Sequence, residues 1–168
     1  MSARILYAHF AAANHTAAAD WLRTVREMAA GQGSQDIFWT AQTELARTQA
    51  AVSWRLVSEN RREISRASVL HSDERAVAAD VAQLLRRAHE LQVHTSPAPR
   101  LRSTGWFVSH GTEIVMIGAR RYEKRSTAES AALLAMRLVR ELAETAAETA
   151  ADGTGHEHPD ATTPLLLQ

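Results

Sequence analysis

One stretch of this chain is written twice. Residues 54–76, WRLVSENRREISRASVLHSDERA, and residues 106–128, WFVSHGTEIVMIGARRYEKRSTA, both open on tryptophan and run through a short extended segment. Each then crosses a polar turn, Glu59-Asn60-Arg61 in one and His110-Gly111-Thr112 in the other. A second extended segment follows (residues 63–68 and 113–119), then a large apolar residue (Leu70, Tyr122), a polar helix start and an alanine. The tryptophan-to-alanine spacing is 22 in both. Self-similarity at this period constrains the fold more than any single motif, because it marks one supersecondary unit used twice.

The helices that follow keep step. Val77, Val81, Leu84, Leu85, Ala88 and Leu91 are spaced 4, 3, 1, 3 and 3; Ala128, Ala132, Ala135, Met136, Val139 and Leu142 are spaced identically. Each series is one apolar face at helical period. The strand register repeats after 52 residues and the helix register after 51, which implies a one-residue deletion before the second helix. Ser72 before Asp73-Glu74, and Ser126 or Thr127 before Glu129, offer oxygens to unpaired helix N–H groups. A unit of this kind leaves a sheet face and a helix face apolar, and pairing two units buries both.

A further strand is expected ahead of each tryptophan, at residues 37–41 and 91–95. The second is followed by a loop signal, Ser96-Pro97-Ala98-Pro99. Residues 43–51 read as helix, in conflict with the first. Residues 1–33 hold a strand (4–8) and a helix (16–30) stopped by Gly31 and Gly33. This segment also reads as a worn half-unit, with Phe10 matching Leu70 and Ala19-Asp20 matching Ala79-Asp80. Gly, His, Pro, Asp and Thr dominate from Asp152 on, which predicts a disordered tail.

The expected fold class is therefore α+β: two tandem β-β-(β)-α repeats packing sheet against helices, with an extra N-terminal helix. The divisions are 1–33 for the N-terminal extension, 34–92 and 93–150 for the repeats, and 151–168 for the acidic tail.

Absences narrow the chemistry. No cysteine is present, so disulfides, thiol catalysis and thiolate zinc sites are excluded. No run of 18 apolar residues exists and the N-terminus shows no secretory pattern, so a cytoplasmic protein with no membrane partner is expected. The zero net charge conceals an imbalance: all 19 basic residues fall within residues 1–140 beside 13 acids, and six acids occupy the rest. An acidic tail on a basic body bears on anionic partners.

With Trp54-Arg55-Leu56-Val57 leading through Glu59-Asn60 to Ile64, the unit resembles the YegP-like family of short proteins. The stretch Tyr122-Glu123-Lys124-Arg125-Ser126-Thr127-Ala128-Glu129 matches that family's aromatic residue and Ser/Lys-initiated helix. The resemblance spans roughly residues 37–143, although Arg61 and Arg62 stand where a turn glycine is usual. It implies a small α+β fold, tandem or homodimeric, and supplies no catalytic residues.

The candidate sites are few. His156 and His158 flank Glu157, but two ligands on a floppy segment make a poor metal site. The other histidines show no ligand spacing and read as surface or capping residues. Nucleophile-elbow, phosphate-loop and dinucleotide patterns are missing, so no catalytic, metal or cofactor residue is assigned. Trp54, Trp106 and Tyr122 read as packing residues or, alternatively, as stacking platforms. The arginine clusters carry the functional expectation: Arg61 and Arg62 in the first turn, and Arg120, Arg121, Lys124 and Arg125 before the second helix. The leading expectation is a non-enzymatic binding or scaffolding protein whose partner is itself, as a homodimer, or another protein. The alternative is a nucleic-acid-binding protein gripping phosphates with these six residues. A shared face for the six favours nucleic acid; dispersal favours a protein or small-ligand partner.

Overall fold

Alternation in the tryptophan-led segments sends successive side chains to opposite sides of a strand, so each must be covered on two faces. The computed structural model, which describes residues 3–12, 15–29 and 36–152, supplies both covers. The strands are β1 (Ala3–Phe10), β2 (Ala51–Ser58), β3 (Glu63–Ala67), β4 (Gln92–Ala98), β5 (Ser103–His110) and β6 (Glu113–Gly118). The helices are α1 (His15–Met28), α2 (Asp36–Thr48), α3 (Glu74–Arg86) and α4 (Arg125–Asp152). The described strands form one antiparallel sheet in the order β1-β2-β3-β6-β5-β4.

The centre of this sheet is the pairing of β3 with β6, which sets Ser65 opposite Gly118, Arg66 opposite Ile117 and Ala67 opposite Met116. Ala119 N–H donates to the Ile64 carbonyl at 3.1 Å and extends the seam. One face of the sheet carries Val52, Trp54, Leu56, Ala67, Trp106, Val108 and Met116 in a single cluster with the apolar faces of α3 and α4. Both expected helical stripes lie in that cluster or against it, from Val77 to Leu91 and from Ala128 to Leu142. The opposite face gives Ala51, Phe107 and Ile117 to a second cluster with Ala18, Trp21, Leu22, Val25 and Met28 of α1 and Ala46 of α2. Trp21 is fixed there by donating Nε1–H to the Ala67 carbonyl at 3.0 Å, with the Arg66 guanidinium 4.6 Å over its ring.

Several expectations need correction. Residues 37–41 are not a strand but part of α2. The strand outside β2 is β1, paired over eight residues with Tyr7 opposite Trp54. The helix-forming run after Thr43 propagates back through these residues, and β1 has already taken the place beside β2. Ser96, Pro97 and Ala98 belong to β4 rather than to a loop. Proline is tolerated there because β4 ends the sheet and its outer edge needs no donor.

Helix starts also differ. Asp73, not Ser72, caps α3, accepting from Ala76 N–H at 2.9 Å. That bond, and then the Ser72 hydroxyl, hold the Asp73 carboxyl below its usual range. The cap's contribution is therefore present above about pH 4 and lost as the pH falls below it. α4 begins at Arg125, ahead of both Ser126 and Thr127, and runs on through Ala151 and Asp152, where the tail was expected to begin. Residues 153–168, with the His156–His158 pair, lie outside the described residues.

Gly118 shows how tightly the seam is packed. A Cβ placed on it would meet Cε2 and Nε1 of the Trp106 ring at 2.7 Å, and Trp106 is completely buried. Gly118→Ala is expected to lower stability by about 1–3 kcal/mol, as overpacking does. Urea unfolding measures it, and an unchanged midpoint would contradict the packing described.

Candidate functional site: a cleft between the last helix and the first hairpin turn

The β2–β3 turn is held by Ser58. Its N–H donates to the Arg62 carbonyl at 2.9 Å, and its carbonyl accepts from Arg61 N–H at 2.8 Å. The Ser58 hydroxyl also accepts from Arg62 N–H at 3.2 Å. This closure forces Arg61 to φ 59°, the left-handed region that favours glycine. The corresponding turn before β6 uses Gly111, at φ 58°. An arginine carried at a strained position adjacent to a cleft is the kind of backbone outlier that gathers at binding sites.

That cleft, of about 620 Å³, opens between this turn and the start of α4. Arg62, Glu59 and Glu63 line it from the hairpin, with Ile64 beside them; Arg120 and Tyr122 come from the segment after β6. Thr127, Ser130, Ala131 and Leu134 form the α4 wall. The Arg120 guanidinium lies 4.9 Å over the Tyr122 ring, a cation–π contact that leaves the edge of the planar fork available. Among the described residues, neither Arg62 nor Arg120 has an acid within ion-pair distance, and Glu59 has no base within that distance. Glu63, by contrast, is engaged by Arg66 at 2.6 Å and by Arg55 at 3.9 Å.

The six cationic candidates do not act as one surface. Arg62 and Arg120 share the cleft, and Arg61 is exposed on the turn. Lys124 and Arg125 are exposed at the start of α4, with Arg125 paired to Glu129 at 2.8 Å. Arg121 is directed elsewhere and half-buried. It donates to the Ser96 carbonyl at 2.6 Å and the Ser103 hydroxyl at 3.0 Å, and reaches the Glu27 carbonyl and Met28 Sδ at 3.5 Å. It ties β4, β5 and the end of α1 together and has little left for a ligand. A second groove, of about 760 Å³, runs past Arg121 along Pro97, Pro99 and Arg102, but Arg121 faces it with its donors already committed.

Trp54 and Trp106 are both core residues, so no base can stack on them. Trp54 donates Nε1–H to Asp80 Oδ2 at 2.7 Å, and His71 Nε2 stands 3.3 Å from the same oxygen. Fifty-one residues after Asp80 stands Ala131, with no acceptor to offer, and Trp106 Nε1 is buried without a hydrogen-bond partner. His71 bridges Val52 and Tyr122 bridges Thr104, while Leu70 joins the α1–α2 cluster.

Sequence reasoning found Arg62, Arg120 and Tyr122 but missed Glu59, Ile64, Ala131 and Leu134 as their companions. No local signal joins residues some 70 positions apart across a seam. Among the described residues, no group of three or more His, Asp or Glu could hold a metal ion, and no helix is long and apolar enough to cross a membrane. Comparison with known protein families, curated proteins and solved structures found no match to this chain.

Arg121→Ala is expected to lower stability by about 1–3 kcal/mol, since it strips charge-assisted bonds from buried carbonyls. Arg120→Ala, which removes no such bond, should stay within about 0.5 kcal/mol. Urea unfolding of both variants checks this, and the reverse order would contradict these two roles.

Proposed function

We propose that this chain is a non-catalytic binding protein, built as a doubled β-β-β-α unit like that of the YegP-like proteins, and that the cleft between α4 and the β2–β3 turn receives its ligand. The observation that carries the reading is the pair Arg62 and Arg120. Two guanidinium groups without acid partners face an apolar wall in one concave site of ligand-binding size.

Several correspondences support the doubling. β1-β2-β3 and β4-β5-β6 are meanders of the same order, each followed by a helix, and they meet at β3 and β6. The register shifts between Leu56 and Val57 in one and between Val108 and Ser109 in the other, at positions 52 apart. The α1–α2 hairpin is then an insertion between the first and second strands of the first unit. Self-association belongs to the same reading: β1 ends the sheet, its outer edge pairs with no described strand, and it carries no proline.

The nucleic-acid alternative is weakened by the geometry. Arg121 is spent on the framework, Arg125 is paired, and Glu59, Glu63, Glu123 and Glu129 are interspersed among the remaining cations. Backbone-amide NMR with a library of fragments of every charge separates the two. The cleft reading expects shifts concentrated in residues 58–64, 120–122 and 127–134. If no fragment moves these residues while duplex RNA moves Arg61, Lys124 and Arg125 with a steep loss of affinity in salt, the nucleic-acid reading replaces it.

A further inference from the structure

We infer that the cleft selects a small organic anion, a carboxylate or phosphate head group carried on an apolar body. This rests on the cleft being the binding site, and it follows from how each polar group there is already used. The Ser58 hydroxyl donates to the Arg62 carbonyl and the Ser130 hydroxyl to the Ser126 carbonyl. The donor protons of these two hydroxyls are thus committed within the chain. Ile64, Ala131 and Leu134 present hydrocarbon instead, a surface for a ring or branched chain.

The charges decide the head group. Arg62 and Arg120 bring two positive charges, and Arg66 holds Glu63 in an ion pair. Glu59 retains its negative charge at the rim. A cation is opposed by both arginines. A carboxylate or a phosphate ester is attracted by both, and either matches the planar arginine fork.

The other half of the sheet gives an independent indication. Between α3 and the Trp54, Glu113 and Val115 side of the sheet the space is only about 20 Å³, lined by Asp80, Gln83 and Arg87. There the chain's own carboxylate, Asp80, sits on the Trp54 N–H. The residues 51 positions on are Ala131, Leu134 and Leu138, shorter or uncharged. The α4 wall of the cleft, Thr127, Ser130, Ala131 and Leu134, thus carries no carboxylate of its own to oppose an anionic head group.

Probes sharing one ring test this on the full chain: benzoate, benzyl alcohol, benzylamine and phenyl phosphate, with acetate as the head group alone. Titrations followed by amide NMR at about pH 8, where the phosphate is doubly charged, rank them at the cleft. Benzoate and phenyl phosphate should each bind at least about tenfold tighter than benzyl alcohol, benzylamine and acetate, the increment of a charge-assisted contact. Arg120→Ala and Arg62→Ala should each weaken benzoate about tenfold and leave benzyl alcohol unchanged. The double variant Ala131→Asp, Leu134→Gln places the first half's residues in the cleft and should abolish both; its thermal midpoint confirms that it folds, and the two arginine variants serve if it does not. If benzylamine or benzyl alcohol binds tightest at the cleft, the ligand class is overturned while the cleft stands. If benzoate is indifferent to both arginines, the assigned head-group contacts are overturned. If no probe or library fragment moves the cleft resonances, the inference and the binding site both fall.

Discussion

The pairing of β3 with β6 is the contact on which the rest depends. A three-stranded meander with one helix cannot bury the apolar surface that its alternation creates. Joined along Ser65–Ala67 and Met116–Gly118, two such meanders share one core that buries Trp54, Trp106 and Met116 between the sheet and two helices. The seam strands are short, five residues in β3 and six in β6, so side-chain packing supplies much of their stability. Gly118 is part of that packing, since only the absence of a Cβ lets the Trp106 ring lie on the strand.

The same seam creates the opportunity for binding. A wedge of space lies beside each of α3 and α4, bordered by β6 in one case and by the β2–β3 hairpin in the other. On one side Asp80, Gln83 and Arg87 close the wedge. On the other, small and aliphatic side chains of α4 leave it open, and the β2–β3 turn and the segment after β6 bring Arg62 and Arg120 to its mouth. The covering of the second sheet face by α1 and α2 matters as well. With Phe107, Ile117 and Leu70 already packed against these helices, that part of the sheet is not left for a partner.

Much of this was legible in the sequence wherever a local period carried it. The 4, 3, 1, 3, 3 steps named the buried faces of both helices, and the matched tryptophans marked the strands β2 and β5. What was not legible depended on partners distant in the chain. Residues 37–41 contain Ile, Phe and Trp and satisfy a strand propensity, yet the place beside β2 is filled by β1 from some 45 residues earlier. Arg121 is indistinguishable from Arg120 by type and neighbours. Their backbone positions after β6 separate them, Arg120 lining the cleft and Arg121 donating to the Ser96 carbonyl. The cleft itself had no sequence signal, because its walls come from residues 58–64 and 120–134.

Native-state hydrogen exchange measures the central claim most directly. If the two halves stand or fall through the β3–β6 seam, the amides crossing it should open only when the whole chain unfolds. Ala119, bonded to Ile64, and Ser68, bonded to Val115, should then exchange with the free energy found by urea unfolding, above that of the outer strands β1 and β4. Seam amides exchanging more than about 2 kcal/mol below the global value, with either half still protected, would contradict the account.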